Sequence, residues 1–476
     1  MNDPKRSQLP RGFGKDGALP PAQAISQEWK VEHTSTAPQT ITATDPRLLL
    51  NAFDHQFRGF RTFWFDRIAP AGPVVLPAAR GAELESATAY LAGLLRRAVR
   101  TLGGDCLTRH RALGLDERLT AFYGDEDFEN AYATVMGRPD VMLTESGWKF
   151  IEFNFCSSTG GQVYAHLLNE LWRQLLPDEA SASLTLADPL KARTEMLRTV
   201  LGDLGLDPHV ALVGHLPDVF LTDIGEAGRR YYEIETDALR KGGIRAEYFE
   251  TDEFIDALGS RRGEFPLVLE RTVPQEWIDA GRDLGPLLTI RKCGSAVLTP
   301  QSSYQVANKQ LFTVLSKGQD WMTDRDREFV DTYIPWSRGI REDVVEYRGE
   351  SWKLEELLRK RRDDFVLKRS DGDQNFDVHI GSRTDPSAWE SVIAKARSAG
   401  TWTAQETLHS AEIDADVLDC ERGEYLDVST RAVFGPLFMG GRMSGCVVRY
   451  DVPAPRDAVP GTARPSILGT VGWHAH

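Results

Sequence analysis

Apolar and polar positions along this chain change period several times, and the changes mark its elements. Residues 84–102 carry Leu91, Leu94, Leu95 and Val99 at near-helical spacing, which predicts an amphipathic helix. A second helix is expected over 127–136. The pattern then shortens: Val141 to Leu143 begins a strand, Glu145-Ser146-Gly147 turns the chain, and Trp148 to Phe155 runs back. Alternation puts Phe150, Glu152 and Asn154 on one face of this second strand and Ile151, Phe153 and Phe155 on the other. Helices follow at 163–176 and 184–204, the latter with Pro189 near its working start. From 206 to 300 the chain reads β-α-β-α-β: an apolar run at 210–214, a helix at 225–241 closed by Gly242-Gly243, a strand at 244–249, a short helix at 251–258 and a strand at 266–269. That rhythm predicts a small parallel sheet. Beyond it come a helix over 307–315 carrying Asn308-Lys309, a helix at 326–333, and a basic helix at 352–361. A strand at 365–368 enters the loop Arg369-Ser-Asp-Gly-Asp-Gln-Asn375, and a strand resumes at 378–381. A helix at 386–399 leads to strands at 401–408, 425–438 and 445–450, and a Pro- and Ala-rich tail begins at Val452.

These elements amount to a mixed α/β (α+β) chain in four stretches. They are an extended or partly disordered N-terminal arm at 1–43, a unit at 44–205 carrying the hairpin, an α/β unit at 206–305 and a C-terminal unit at 306–476. The arm holds Gly12-Phe-Gly14-Lys-Asp-Gly17, which satisfies GxGxxG but has neither a strand before it nor a helical pattern after it, so it is no dinucleotide fingerprint. No Walker A motif occurs.

Composition narrows the function classes. The 476 residues are 41% hydrophobic and 26% charged, ordinary for a globular protein, and the formal charge of −14 argues against broad nucleic-acid binding. Five scattered cysteines without a CxxC fit a reduced, cytoplasmic setting. No apolar run approaches the ~20 residues that span a bilayer, and no secretory signal is evident. Ten histidines include no HExxH, so a dedicated zinc site is not expected.

The candidate chemistry lies in the hairpin and far downstream. Glu152 and Asn154 project side by side, about 7 Å apart at the usual rise per residue. One carboxylate and one amide oxygen at that spacing suit Mg²⁺ that takes the rest of its shell from water and phosphates. The turn Ser157-Ser158-Thr-Gly-Gly161 follows at once, with backbone donors for an anion. Downstream, Lys309 and Lys368 come from separate elements, the loop after Lys368 bears Asp371, Gly372 and Asp373, and Gln405-Glu406 end a strand. Two lysines, a short loop and a strand edge are the parts a nucleotide site needs. The bland readings are solvated lysines, turn aspartates, and Cys156 as a small apolar filler.

These motifs resemble circularly permuted ATP-grasp ligases, similar to eukaryotic-type glutathione synthetases and glutathionylspermidine-synthase-like ligases. Arg138-Pro-Asp140, Ile151-Glu-Phe-Asn154 and Ser157 through Gly161 are similar to that family's Arg-x-Asp, Ile-Glu-x-Asn and Ser…Gly-Gly stretch. Asn308-Lys309-x-x-Phe, Tyr333-Ile-Pro-Trp, Val366-Leu-Lys368 and Ala404-Gln-Glu406 are similar to its lysine helix, Ile-Pro turn, lysine strand and adenine hinge. The Glu-x-Asn motif precedes both lysines, as in the permuted order. The resemblance spans roughly 130–450 and implies a fold, an activity and roles. The fold is an ATP-grasp core with a small parallel-sheet substrate subdomain. The activity is ATP-dependent joining of a carboxylate to an amine through an acyl phosphate, with ATP and Mg²⁺ as cofactors. Glu152 and Asn154 would bind metal, with Asp371 or Asp373 completing the set and Asp427 a further candidate. Lys309 and Lys368 would hold phosphates beside Asp371 and Gly372, and Gln405 and Glu406 the adenine end. Arg138, Ser157, Ser158 and Arg449 would hold substrate, with Arg138, Lys368 and Arg449 closest to the chemistry. The expected partners are a small carboxylate and an amine, an amino acid or short peptide by analogy, with a homodimer admitted and neither nucleic acid nor membrane.

Two departures stand out. The family's Pro-x-x-Glu-Gly-Gly-Gly loop is replaced by Arg369-Ser-Asp-Gly-Asp-Gln-Asn375, and the 206–300 stretch carries no glutathione-type motif. The altered loop keeps open a catalytically degenerate ATP-binding regulatory module, and an ATP-dependent phosphotransferase is a third reading.

Overall fold

The computed structural model describes residues 38–58, 67–220, 225–372, 377–451 and 466–474. Most of the expected N-terminal arm, with its glycine decoy, and Asp373 lie outside them.

The largest sheet runs, in hydrogen-bonded order, through Ile68–Pro70, Glu412–Asp419, Gln39–Thr40, Val74–Leu76, Ser466–His474, Arg442–Asp451, Glu424–Met439, Met136–Thr144 and Gly147–Asn154. The long strand Glu424–Met439 gives its first half to Glu412–Asp419 and its second half to Arg442–Asp451 and Met136–Thr144. Six strands therefore close on themselves. Burial along it follows the same division: half-exposed alternation up to Arg431, then continuous burial from Phe434 to Met439. Both faces are covered there, because neighbouring residues feed opposite cores. Leu437 and Val447 join one apolar cluster with Trp172 and Leu197, while Phe438 and Val448 join another with Leu91, Trp148 and Phe153. The Pro- and Ala-rich tail needs correcting, since Ser466–His474 is a strand, antiparallel to Arg442–Asp451 and parallel to Val74–Leu76.

The β-α-β rhythm resolves into four parallel strands, Ala296–Leu298, Leu267–Glu270, His209–Gly214 and Arg245–Glu250. All six residues of His209–Gly214 are buried, as a central strand covered on both faces requires. A separate antiparallel sheet joins Ser337–Gly339, Trp402–Glu406, Phe365–Arg369 and Val378–Ile380. The helices Leu354–Lys360 and Pro386–Ala399 close its own core around Leu357, Phe365, Trp389 and Trp402. The second helix is punctuated as its sequence suggests. Asp385 caps it, Pro386 opens it, and Gly400 ends it in the left-handed region at φ 73°. The basic run is a solvated face, with Arg359 on Glu355 at 2.9 Å and Lys360 on Glu356 at 2.6 Å.

The expected helix over 307–315 is two helices, Ser302–Ala307 and Gln310–Ser316, broken at Asn308-Lys309. Asn308 is extended, and the Lys309 N–H donates to Ser370 O at 2.9 Å instead of continuing the helix. The break ties this segment to the loop after Lys368. Among the described residues no helix is long and apolar enough to cross a membrane.

Candidate functional site

The hairpin Met136–Thr144 and Gly147–Asn154 pairs Arg138 with Asn154 and Asp140 with Glu152, but the next pair is Val141 with Phe150. Ile151 is the extra residue of a β-bulge. The bulge corrects the simple alternation. Trp148 and Phe150 before it and Phe153 and Phe155 after it all reach the same core. Phe150 therefore does not share a face with Glu152 and Asn154; Lys149 does. The bulge also turns the Ile151 carbonyl out to where Lys368 can reach it.

Lys368 lies on Phe365–Arg369, a strand of the other sheet, and is 5% exposed. Its Nζ donates to Ile151 O at 2.8 Å and to Gln405 Oε1 at 2.9 Å. Burial pulls it down from 10.5 to about 8, against the opposing pull of Glu152. Lys309 is 4% exposed and donates from Nζ to Gly372 O at 2.5 Å, with Glu152 Oε2 at 3.5 Å. Asn154 Nδ2 donates to Glu152 Oε1 at 3.0 Å. Burial pushes the Glu152 carboxyl up, but Lys309, Lys368 and the Asn154 amide outweigh it and leave it at about 2. Glu152, Lys309 and Lys368, from three distant parts of the sequence, thus meet at one site.

Beside them Asp140 stands between two arginines. Arg449 donates to Asp140 Oδ2, and Arg138 Nε is 3.7 Å from Oδ1. Arg138 also donates to Gly160 O at 2.8 Å, pinning the Ser-Gly turn. Gly435 makes room for it, since a Cβ there would stand 2.9 Å from Arg138 Cδ. Ser157 faces the parallel sheet: its hydroxyl donates to Glu270 O, and its own carbonyl accepts from Arg271. Ser158 Oγ lies 3.1 Å from Cys156 Sγ. Of the residues expected to hold substrate, Arg138 and Arg449 border the Glu152–Asn154 couplet, whereas the Ser157 side chain is spent on joining two units.

At the other end Gln405 is buried, donating from Nε2 to Ser337 Oγ at 3.1 Å while it accepts from Lys368. It orients the lysine. Glu406 binds the Tyr347 hydroxyl at 2.9 Å and Arg348 at 2.8 Å, and its N–H goes to Trp336 O. Lys149, unremarked in the sequence, donates to Thr332 O at 2.5 Å on the site face. With the bulge unseen, strict alternation gave it the other face. Arg271 was equally silent, one arginine among many.

Mg²⁺ requires hard oxygen donors, and Glu152 and the Asn154 side-chain amide, in contact at 3.0 Å, are the groups here that could supply them. Asp371 Oδ1 is 3.0 Å from Arg369 Nε without hydrogen-bond alignment, which leaves this buried carboxylate oxygen unsatisfied. Burial raises Asp371, and Lys309 acts on it in the opposite sense, so Lys309 is an electrostatic neighbour of both Glu152 and Asp371. Glu152, Asn154 and Asp371 are hard oxygen donors of the kind Mg²⁺ takes. Asp427 does not belong to this set. It is exposed and pairs in register with Asp416, eight positions up its strand from Gly435, on the half of the strand that the hairpin does not flank. Among the described residues, three titratable groups with ligating spacing are His209 on the inner strand His209–Gly214, Glu247 on its neighbour Arg245–Glu250, and Glu264, but Arg261 forks onto both glutamates at 2.7 Å.

No family model matches this sequence, and no curated protein matches it. Solved structures do. A glutathione synthetase-like effector from Globodera pallida, in its apo form, matches over 90% of this chain and 97% of its own, with TM-score 0.52 and 11% identity. A gamma-glutamylcysteine synthetase candidate from Methylobacillus flagellatus KT matches over 83% and 89%, with TM-score 0.40 and 12% identity. The first likeness gives this chain the fold of that effector along nearly its whole length.

Proposed function

We propose that this protein is an ATP- and Mg²⁺-dependent carboxylate–amine ligase of the ATP-grasp kind in permuted order, acting on an amino acid or small peptide. The observation that carries the reading is the meeting of Glu152, Lys309 and Lys368 at one site, with Lys368 on the carbonyl beside Glu152. A shared fold with a glutathione synthetase-like protein agrees with it.

In this reading Glu152 and Asn154, with Asp371, hold the Mg²⁺, which neutralises phosphate charge when bound. Lys368 and Lys309 turn from Ile151 O and Gly372 O to the β- and γ-phosphates. Arg138 and Arg449, restrained by Asp140, orient the substrate carboxylate toward the γ-phosphorus. The carboxylate oxygen attacks that phosphorus and the bond to the β,γ-bridging oxygen breaks, giving an acyl phosphate and ADP. The amine then attacks the acyl carbon, loses a proton and expels phosphate. The protein's part is alignment and exclusion of water.

The test is ADP and phosphate release over mixed amino acids and amines. Stimulated release of both is expected, with loss in Glu152→Gln and Lys368→Ala that remain folded. Full activity in either variant refutes the site. Nucleotide binding with no stimulated turnover favours a degenerate regulatory module, and ADP without phosphate favours a phosphotransferase.

A further inference from the structure

In this structure the Lys309 ammonium stands where the reading above seats the metal. Its Nζ is 3.5 Å from Glu152 Oε2 and 2.5 Å from Gly372 O, the residue that follows Asp371. The couplet is closed in other ways too. Asn154 turns its amide donor, not its oxygen, onto Glu152. Around the seat five cations, Lys309, Lys368, Arg138, Arg449 and Arg369, stand against four carboxylates, Glu152, Asp140, Asp371 and Asp279. A dication added to that set would leave a large uncompensated positive charge beside buried side chains, which costs far more than in water.

We propose that Lys309 acts as a resident cation that competes with the metal for Glu152, so that Mg²⁺ is admitted only with the triphosphate. The inference rests on the ligase reading. The nucleotide supplies the counter-charge and offers the ammonium a better partner than Glu152. Lys309 then moves to phosphate and Asn154 is free to present Oδ1, so that Glu152 and Asn154 would hold the metal. The tether favours this exchange. Lys309 sits at the break between two short helices, with its backbone N–H fixed to Ser370 O at 2.9 Å, so the side chain moves from a pinned base. The consequence is ordered, strongly synergistic binding and a site that does not fill with free divalent ions between turnovers.

Mn²⁺ is the probe, a hard divalent ion with the same taste for oxygen, followed by the paramagnetic resonance signal of the free ion. It is titrated into the full chain alone and with a non-hydrolysable ATP analogue. In the wild type, Mn²⁺ alone is expected to bind at least 100-fold more weakly than with the analogue. Lys309→Gln, checked by circular dichroism, is expected to bind Mn²⁺ alone at least tenfold more tightly than the wild type. That gain should vanish in Lys309→Gln/Glu152→Gln. Tight nucleotide-free Mn²⁺ binding by the wild type that Glu152→Gln removes overturns the proposal, whether or not the Lys309 variant folds. So does a folded Lys309→Gln with no gain. In both cases analogue binding persists and the ligase reading stands. If the wild type binds no analogue with Mn²⁺ present, the ligase reading itself fails.

Discussion

Replacing Lys368 with Met separates what this lysine does for the fold from what it does for the nucleotide. Met has similar length and no charge, and Lys368 is 5% exposed. The fall of its pKa from 10.5 to about 8 corresponds to about 3 kcal/mol of folding free energy at about 1.36 kcal/mol per pH unit. The sign follows from the direction. The folded value is below the unfolded one, so the cost is fully present below pH 8 and fades as pH rises toward 10.5. Met removes that cost. It also leaves Ile151 O and Gln405 Oε1 without their donor, and each unsatisfied buried acceptor costs about 1–3 kcal/mol. The two effects are similar in size, so the variant stays folded at pH 7 with stability within about 3 kcal/mol of wild type. Binding has no such offset. A hydrogen bond to a charged group is worth about 1.5–3 kcal/mol, so the ATP analogue is held about 10- to 150-fold more weakly. Calorimetric titration beside urea unfolding measures both. In the wild type, affinity should also fall as pH rises above about 8, because the free protein loses the ammonium proton there, and this slope should be absent in Lys368→Met. A folded variant that keeps both wild-type affinity and the alkaline slope refutes the assignment.

Three further outcomes test other parts of the site. Glu152 is held at about 2 against an ordinary 4.5, so its contribution to stability is present above pH 4.5 and is lost as pH falls through 2. Urea midpoints taken from pH 5 to 2 should fall less steeply in Glu152→Gln, and parallel curves would count against the depressed carboxyl. Arg193 and Glu235 are both 1% exposed and 2.6 Å apart beneath Arg271. Glu235→Gln should cost about 3–5 kcal/mol in chemical denaturation, since it strands two buried guanidiniums. Asp427→Asn should leave analogue and Mn²⁺ affinity unchanged, because that side chain is exposed on the far half of its strand; a tenfold loss would return it to the metal set.

The local chemistry of this chain was open to a reader of its sequence. The turn at Glu145-Ser146, the parallel β-α-β rhythm and the capped helix Pro386–Ala399 follow from period, turn residues and capping, all of which act over a few neighbours. So did Glu152, Asn154, Lys309 and Lys368 as candidates, because a carboxylate–amide couplet and a lysine on an apolar strand are conspicuous locally. What could not be read were events that need a partner strand or a distant segment. The bulge at Ile151 exists because Val141 pairs with Phe150, and one inserted residue reverses the side-chain alternation beyond it. The helix break at Lys309 is set by a carbonyl some 60 residues later, the strand Ser466–His474 by three neighbours that supply its hydrogen bonds, and the role of Gln405 by the lysine it faces. Propensity and pattern decide which side chains are available. Which of them share a site, and in which charge state, depends on long-range pairing and burial.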